Sequence, residues 1–295
     1  MRVTSPRDIQ TPSDRASSTR IVICADDYGL TPGVSRAIRE LIAARRISAT
    51  SVMAGSEFWP AEAAALRAVA GDADIGLHVT LTDQAPLGAM PEFAPGGRFP
   101  PLSAVFRAGL LHRLPLAEIE AEIERQLEAF VAHYGAPPAH IDGHHHMHQL
   151  PGVRDIVVRL ATRFGHGRTW VRSCAEPMTR IRRRGIAPVK AGIIATLGPG
   201  MARCAAALSI PANVGFSGVY DFAREQRPLA TLFARFLDGL GRNGLVMCHP
   251  GYADAALAGL DAMTTARETE RAFFMSNAWP ALLAARNLEI GPLLR

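Results

Sequence analysis

Ile21-Val22-Ile23-Cys24-Ala25-Asp26-Asp27-Tyr28-Gly29 is an apolar run that ends abruptly in two adjacent carboxylates. Five consecutive apolar residues, two of them β-branched isoleucines and one a valine, are the pattern of a parallel strand buried on both faces. Thr31 then offers an N-cap and Pro32 sits at the first helical position, while Val34, Ile38, Leu41 and Ile42 recur at helical spacing. A second strand is expected over about 48–54. Strand, helix, strand is a β-α-β unit, with a right-handed crossover.

The same alternation runs outward from this unit. A helix over about 60–70 leads to a third strand, Asp74 to Thr82. A Pro/Gly-rich passage over 86–101 shows no periodicity and is expected to be a functional loop. Leu116, Ile119, Ile123, Leu127, Phe130, Val131 and Tyr134 mark a long amphipathic helix, which Gly135 and Pro137-Pro138 stop. Further on, helices are expected over 153–164, 229–240, 264–274 and 280–287, and strands over 169–172 and 244–251. The region 180–211, rich in Arg and Ala, has no clear assignment. Strands alternating with helices make this an α/β protein, with a mostly parallel sheet and helices outside it. No linker divides the chain, so residues 20–295 are expected to form one domain behind an N-terminal tail over 1–19.

Composition narrows the function classes. The 295 residues are 48% hydrophobic, with a mean hydropathy of +0.08. No apolar run reaches the roughly 18 residues that span a bilayer. Met1 to Arg20 has no apolar centre and does not read as a secretory signal, which makes the cytoplasm the default compartment. Cys24, Cys174, Cys204 and Cys248 form no CxxC pair, so reduced thiols are expected rather than disulfides or a thiolate zinc site. Net charge is +5. The densest basic run, Arg180 to Arg184, lacks interleaved aromatic residues and is expected to be a solvated loop rather than a nucleic-acid or membrane patch.

Polar residues recur at one place in the repeating unit. Asp26 and Asp27, His78, His144, Arg172 and His249 all fall at or near the C-terminal ends of expected strands. In α/β sheets and barrels that edge is where sites are built. The segment His140-Ile141-Asp142-Gly143-His144-His145-His146-Met147-His148 alone holds half of the ten histidines. Read as an extended segment, it would point His144, His146 and His148 one way and His145 the other. Two imidazoles and a carboxylate are a common ligand set for a catalytic divalent ion, which lowers the pKa of water and polarises a carbonyl. Adjacent Asp26 and Asp27 would face apart in a straight strand. Both can serve one site only if the chain turns there, and Gly29 favours a turn.

Four ordered motifs carry a resemblance: Ala25-Asp26-Asp27-Tyr28-Gly29, Gly76-Leu77-His78-Val79-Thr80-Leu81-Thr82, the histidine segment, and Cys248-His249-Pro250. Together they resemble the YdjC-like carbohydrate deacetylases, which include the chitooligosaccharide deacetylases. The resemblance implies a distorted (β/α) barrel over about 20–292 and metal-dependent removal of acetyl from an N-acetylated sugar. It also implies that Asp27, His78 and His144 hold one divalent ion, that Asp26 is the general base and that His249 is the general acid. Arg172 would orient the base or bind substrate. Mixed nitrogen and oxygen donors suit Zn²⁺, Co²⁺, Ni²⁺ or Mn²⁺ better than Mg²⁺, with which the family is often described. Some relatives accompany hopanoid-lipid synthesis, so an N-acetylated oligosaccharide and a glycolipid are both candidate substrates. Phe93, Phe99, Leu102, Val105, Phe106, Leu110 and Leu111 would suit a greasy substrate, though ordinary packing is the favoured expectation. The rivals are another metal hydrolase on the same scaffold (a phosphoesterase or a non-sugar amidohydrolase) and a non-catalytic metal- or sugar-binding protein. A homodimer is the default oligomer for a soluble enzyme.

Overall fold

The computed structural model describes residues 18–261 and 263–293. Most of the expected tail therefore lies outside the described residues, and Thr19 already belongs to the first strand. In chain order the elements are β1 (Thr19–Tyr28), α1 (Pro32–Ala43), β2 (Ala49–Val52), α2 (Trp59–Val69) and β3 (Asp74–Val79). Then come α3 (Leu102–Leu110), α4 (Leu116–Tyr134), β4 (His140–Gly143), a 3-10 turn (His144–Gln149), α5 (Val153–Gly165) and β5 (Trp170–Val171). The last part holds α6 (Met178–Arg184), α7 (Pro188–Ala207), β6 (Phe216–Ser217), α8 (Leu229–Leu237), β7 (Leu245–Cys248), α9 (Leu257–Leu260), α10 (Thr264–Met275), α11 (Ala278–Ala284) and β8 (Leu288–Ile290).

All strand pairs are parallel, in the order β5-β4-β3-β2-β1-β7-β6, with β8 joining the start of β1. This is the expected distorted barrel. The two sheet edges meet through a thin join. Val171 at the end of β5 donates its N–H to Pro211 (2.9 Å) and bridges Ala212, and the same segment runs on into β6.

Central β1 shows why the apolar run is continuous. Ile21, Ile23 and Ala25 share one core cluster with Val34, Ile38 and Leu41 of α1. Val22 and Cys24 point to the other face, among Ala49, Trp170, Phe216 and Leu245 from inside the barrel. Both faces are dry, so no polar residue is tolerated until the strand ends. Helix α1 begins as its sequence predicts: the Thr31 side chain accepts the Val34 N–H (3.3 Å), and Pro32 follows. Helix α4 stops at Gly135, whose φ is 84°.

Two stretches differ from expectation. The Arg180 to Arg184 run is helix α6, not a solvated loop: Arg184 is buried in an ion pair with Glu176 (2.5 Å), and Arg180 donates to the Phe236 carbonyl (2.7 Å). The other is α3, which no expectation covered and which follows the irregular loop expected over 86–101; α4 anchors that loop, where buried Glu122 accepts the Leu87 N–H (2.9 Å) and Glu118 accepts that of Phe93 (2.9 Å). The apolar residues of loop and helix divide. Phe93, Phe99 and Val105 are packed as expected, whereas Leu102, Leu110 and Leu111 are exposed.

Helix α7 lies against the chain that follows β5. A Cβ at Gly198 would fall 2.1 Å from the Ala175 amide nitrogen, and the Gly198 carbonyl accepts from Ser173 Oγ (3.1 Å). Backbone cannot yield as a side-chain tip can, so Gly198→Ala should cost about 2 kcal/mol or more through overpacking. Gly241, where an added Cβ meets nothing within 4 Å, is the control. Urea unfolding of Gly198→Ala, Gly241→Ala and the parent chain measures the difference; only the first should lose stability on this scale.

Candidate active site

Strand β1 ends in an irregularity that brings its two carboxylates together. Its register with β2 shifts between Ala25 and Tyr28, and Asp27 adopts a φ of 69°. The turn falls on Asp27 itself, two residues before the glycine expected to supply it, and Gly29 also has a positive φ of 88°. A left-handed aspartate is uncommon and mildly strained. The bulge places Asp26 and Asp27, both buried, inside the same mouth.

Around them the other strand ends converge. His78 Nε2 lies 3.3 Å from Asp27 Oδ1, and His144 Nδ1 lies 3.2 Å from the same oxygen. One donor atom from each of Asp27, His78 and His144 falls within 4.8 Å of the other two. The reverse nitrogen of each ring is occupied. His78 Nδ1 meets Asp142 Oδ1 at 2.6 Å and the Ser51 hydroxyl at 3.1 Å, and His144 Nε2 faces Asp83 Oδ2 at 3.3 Å. A carboxylate behind an imidazole fixes the ring and its tautomer, the usual support of a metal-binding histidine. The donor set therefore fits a divalent ion.

Two buried arginines balance the carboxylates. Arg172, with no exposed surface, donates to both oxygens of Asp26 (2.7 and 2.5 Å) and reaches Asp142 Oδ2 at 2.5 Å. Arg267 of α10 holds Asp27 Oδ2 at 2.6 Å and is itself gripped by Asp261 at 2.6 Å. Burial alone would raise the Asp27 carboxyl, but Arg267 and the hydrogen bonds from His144 and His78 hold it well below the usual carboxylate range. Burial would likewise lower His78, yet Asp142 and Asp27 raise it to about 10. Asp142 and Arg267 were not singled out from the sequence. Parallel register makes His78 and Asp142 cross-strand partners, a signal for Asp142 that depends on knowing which strands are neighbours. Arg267 sits mid-helix in α10 and carries no such signal.

His249 follows β7. Its Nε2 is 4.0 Å from Asp26 Oδ2, and Phe222 stands edge-on to its ring at 5.2 Å. Burial lowers its pKa to about 4 against the pull of Asp27 and Asp26, so the ring is neutral at pH 7. The residue expected to be the general acid is thus not an imidazolium at rest. Its backbone N–H donates to Glu270 Oε2 (2.5 Å), whose other oxygen accepts from the Tyr220 hydroxyl (2.7 Å).

The histidine segment does not alternate as an extended chain would. After His144 it enters a 3-10 turn, with His145 and His146 at φ 53° and 61°. His145 therefore stands beside His144, with ring centres 4.0 Å apart, and faces Asp83 and Thr82. His146 turns to Cys174 Sγ (3.6 Å) and Phe216. His148 Nε2 donates to the Arg172 carbonyl (3.0 Å), which pins the backbone that carries the guanidinium.

Glu270 gives this site a pH signature. Burial raises its carboxyl from 4.5 to about 7, against the hydrogen bonds from Tyr220 and His249. The native state thus favours protonated Glu270. The stability it contributes is full below the unfolded pKa and is lost as pH rises through about 7, a loss of about 3 kcal/mol between pH 4 and 8. Glu270→Gln is neutral at every pH, with its oxygen able to accept the His249 N–H and its amide able to donate to the Tyr220 oxygen, and should flatten this part of the stability-pH curve, as read by chemical denaturation at several pH values. An unchanged slope would contradict the assignment.

The profile of the YdjC-like protein family matches residues 20–285. A chitooligosaccharide deacetylase of Serratia marcescens is 35% identical over 145 residues, which is 48% of this chain and only 55% of that relative. One from Yersinia pestis (strain Pestoides F) is 30% identical over 279 residues, 93% of this chain and 98% of that one. The crystal structure titled a putative cellobiose-phosphate cleavage protein, from Enterococcus faecalis V583, superposes with a TM-score of 0.70 at 21% identity, covering 94% of this chain and 98% of its own. By profile and by near full-length identity, this chain belongs to the YdjC-like protein family.

Proposed function

We propose that this protein is a metal-dependent carbohydrate N-deacetylase that hydrolyses the acetamide of an N-acetylated sugar, either an oligosaccharide or the head of a glycolipid. One observation carries the proposal: Asp27 Oδ1, His78 Nε2 and His144 Nδ1 face one point, with Asp26 and His249 beside it. The deacetylase names of relatives across most of the chain support the same reaction. Asp27, His78 and His144 would hold the divalent ion, with Zn²⁺ the best chemical match to the donors. Such an ion lowers the pKa of water toward 7 and polarises a carbonyl oxygen.

The remaining residues handle the protons. Arg172 fixes Asp26 through both carboxylate oxygens, leaving it oriented to accept a proton from the attacking water. His249 enters the cycle neutral, so it needs a proton before it can protonate the departing amine. Asp26 Oδ2 is 4.0 Å from His249 Nε2, close enough for a small shift to bring them into contact. In this scheme the proton Asp26 takes from water is the one His249 delivers to nitrogen. The products are a free amino sugar and acetate. A cytoplasmic setting fits the four free thiols.

The two-ion rival has one observation in its favour. Asp83, His144 and His145 form a second donor group that shares His144 with the first. Two ions per chain would support a phosphoesterase; one ion supports the deacetylase.

Acetate release from N,N′-diacetylchitobiose and from N-acetylated glycolipids, with and without added metal, tests the proposal. Asp27→Ala and His144→Ala should lose both bound metal and activity. Asp26→Asn and His249→Ala should keep the metal and lose about 10²–10⁴-fold in kcat. Full activity and metal content in Asp27→Ala, or metal loss in Asp26→Asn with activity intact, would refute the assignment.

A further inference from the structure

The rim of the site carries an apolar face that the fold leaves open. Between α3 and the α6–α7 pair runs a groove of about 590 Å³, whose lining includes Phe106, Leu110, Met178, Val189 and Ile193. Four of these are well exposed: Leu110 49%, Met178 44%, Val189 75% and Ile193 49%, with Leu111 next in the chain at 54%. Several large apolar side chains gathered in one place mark an interaction surface, whereas single exposed ones do not.

Its charge is one-sided. The groove's lining contains no Asp or Glu and one cation, Arg182, whereas Arg180 and Arg184 of the same helix are engaged with Glu176 and the Phe236 carbonyl instead. Arg182 lines the groove, and Arg107 and Lys190 each follow a lining residue in the chain. The groove also adjoins the catalytic mouth. Lys190 donates to the Tyr220 carbonyl (3.3 Å) and lies 5.5 Å from the centre of the Phe222 ring, which meets His249 edge-on. On the other wall, Gly109 of α3 packs against Leu150, directly after the histidine turn.

Exposed aliphatic side chains fringed by cations, without intervening carboxylates, match the chemistry of an anionic bilayer surface: apolar side chains enter the acyl boundary and guanidiniums meet phosphates. No described helix is long and apolar enough to cross a membrane, so the contact would be peripheral. We infer that the α3/α6/α7 face docks on anionic lipid membranes and presents the site mouth to the membrane surface. Binding to lipid is independent of the reaction assigned to the site and is read without turnover.

Flotation of the full-length protein with vesicles tests this. Phosphatidylglycerol-containing vesicles should capture the protein, and pure phosphatidylcholine vesicles should capture much less, with high salt weakening the difference. Val189→Asp with Ile193→Asp should weaken capture about tenfold or more, and Arg182→Glu with Arg107→Glu should do so for the anionic vesicles. Val189→Ser with Ile193→Ser probes the same face more gently, and unchanged melting and acetate release from a soluble sugar would show that fold and site are intact. The inference is overturned by no capture on anionic vesicles, by equal capture on neutral ones, or by capture that survives the face variants. It is also overturned if sedimentation shows a dimer that Val189→Asp with Ile193→Asp splits, because a second copy would then cover the face.

Discussion

The guanidinium of Arg172 is the tie on which the site depends. Without exposed surface, it clasps Asp26 with two hydrogen bonds and reaches across to Asp142, which in turn holds His78. Asp26, Asp27 and Asp142 are three buried carboxylates and Arg172 and Arg267 are two buried cations, so with the imidazoles deprotonated, as metal ligands must be, the site would carry one net negative charge. Removing a partner from such a cluster leaves a buried charge uncompensated, at a cost of about 3–5 kcal/mol. A divalent cation would offset the net negative charge, so the proposed metal reading is supported by electrostatics as well as by geometry.

Backbone irregularity supplies the rest. Asp27, Asp83, His145 and His146 all have positive φ, and all four lie at this mouth. Each departure costs about 1–3 kcal/mol for a residue with a side chain, so their concentration here needs compensation from the packing around them. That packing is visible. The dry β1 strand anchors one end of the bulge, and His148 on the Arg172 carbonyl anchors the far end of the histidine turn. The irregular positions aim side chains that regular strands would have pointed apart.

Much of this was legible in the residues. The run from Ile21 to Ala25, the Thr31-Pro32 start of α1 and the Gly135 stop of α4 are local signals, set by burial, capping and permitted φ, and each element formed where those signals lie. A shared rim for Asp27, His78 and the histidine segment was legible for a different reason: in a parallel barrel every strand delivers its C-terminal residue to one rim, although only the family resemblance singled out His144 within that segment. What could not be read was non-local. Alternation misplaced His145 and His146 because an extended segment was assumed where the chain coils into a 3-10 turn. Arg267 reaches Asp27 from a helix 240 positions away in sequence. The strand-like join at 211–217 has little periodicity of its own and is specified by what it packs against, whereas α3 does carry helical spacing at Leu102, Val105, Phe106 and Leu110 but is only nine residues long.

His144 is the decisive residue, because it faces Asp27 through Nδ1 and Asp83 through Nε2, and an ion can sit on either side of its ring. The most direct measurement is anomalous diffraction at the absorption edge of zinc, from crystals grown with that ion. A peak bounded by Asp27 Oδ1, His78 Nε2 and His144 Nδ1 is the result expected here. A peak seated instead among Asp83, His144 Nε2 and His145, with the Asp27 side bare, would contradict the account.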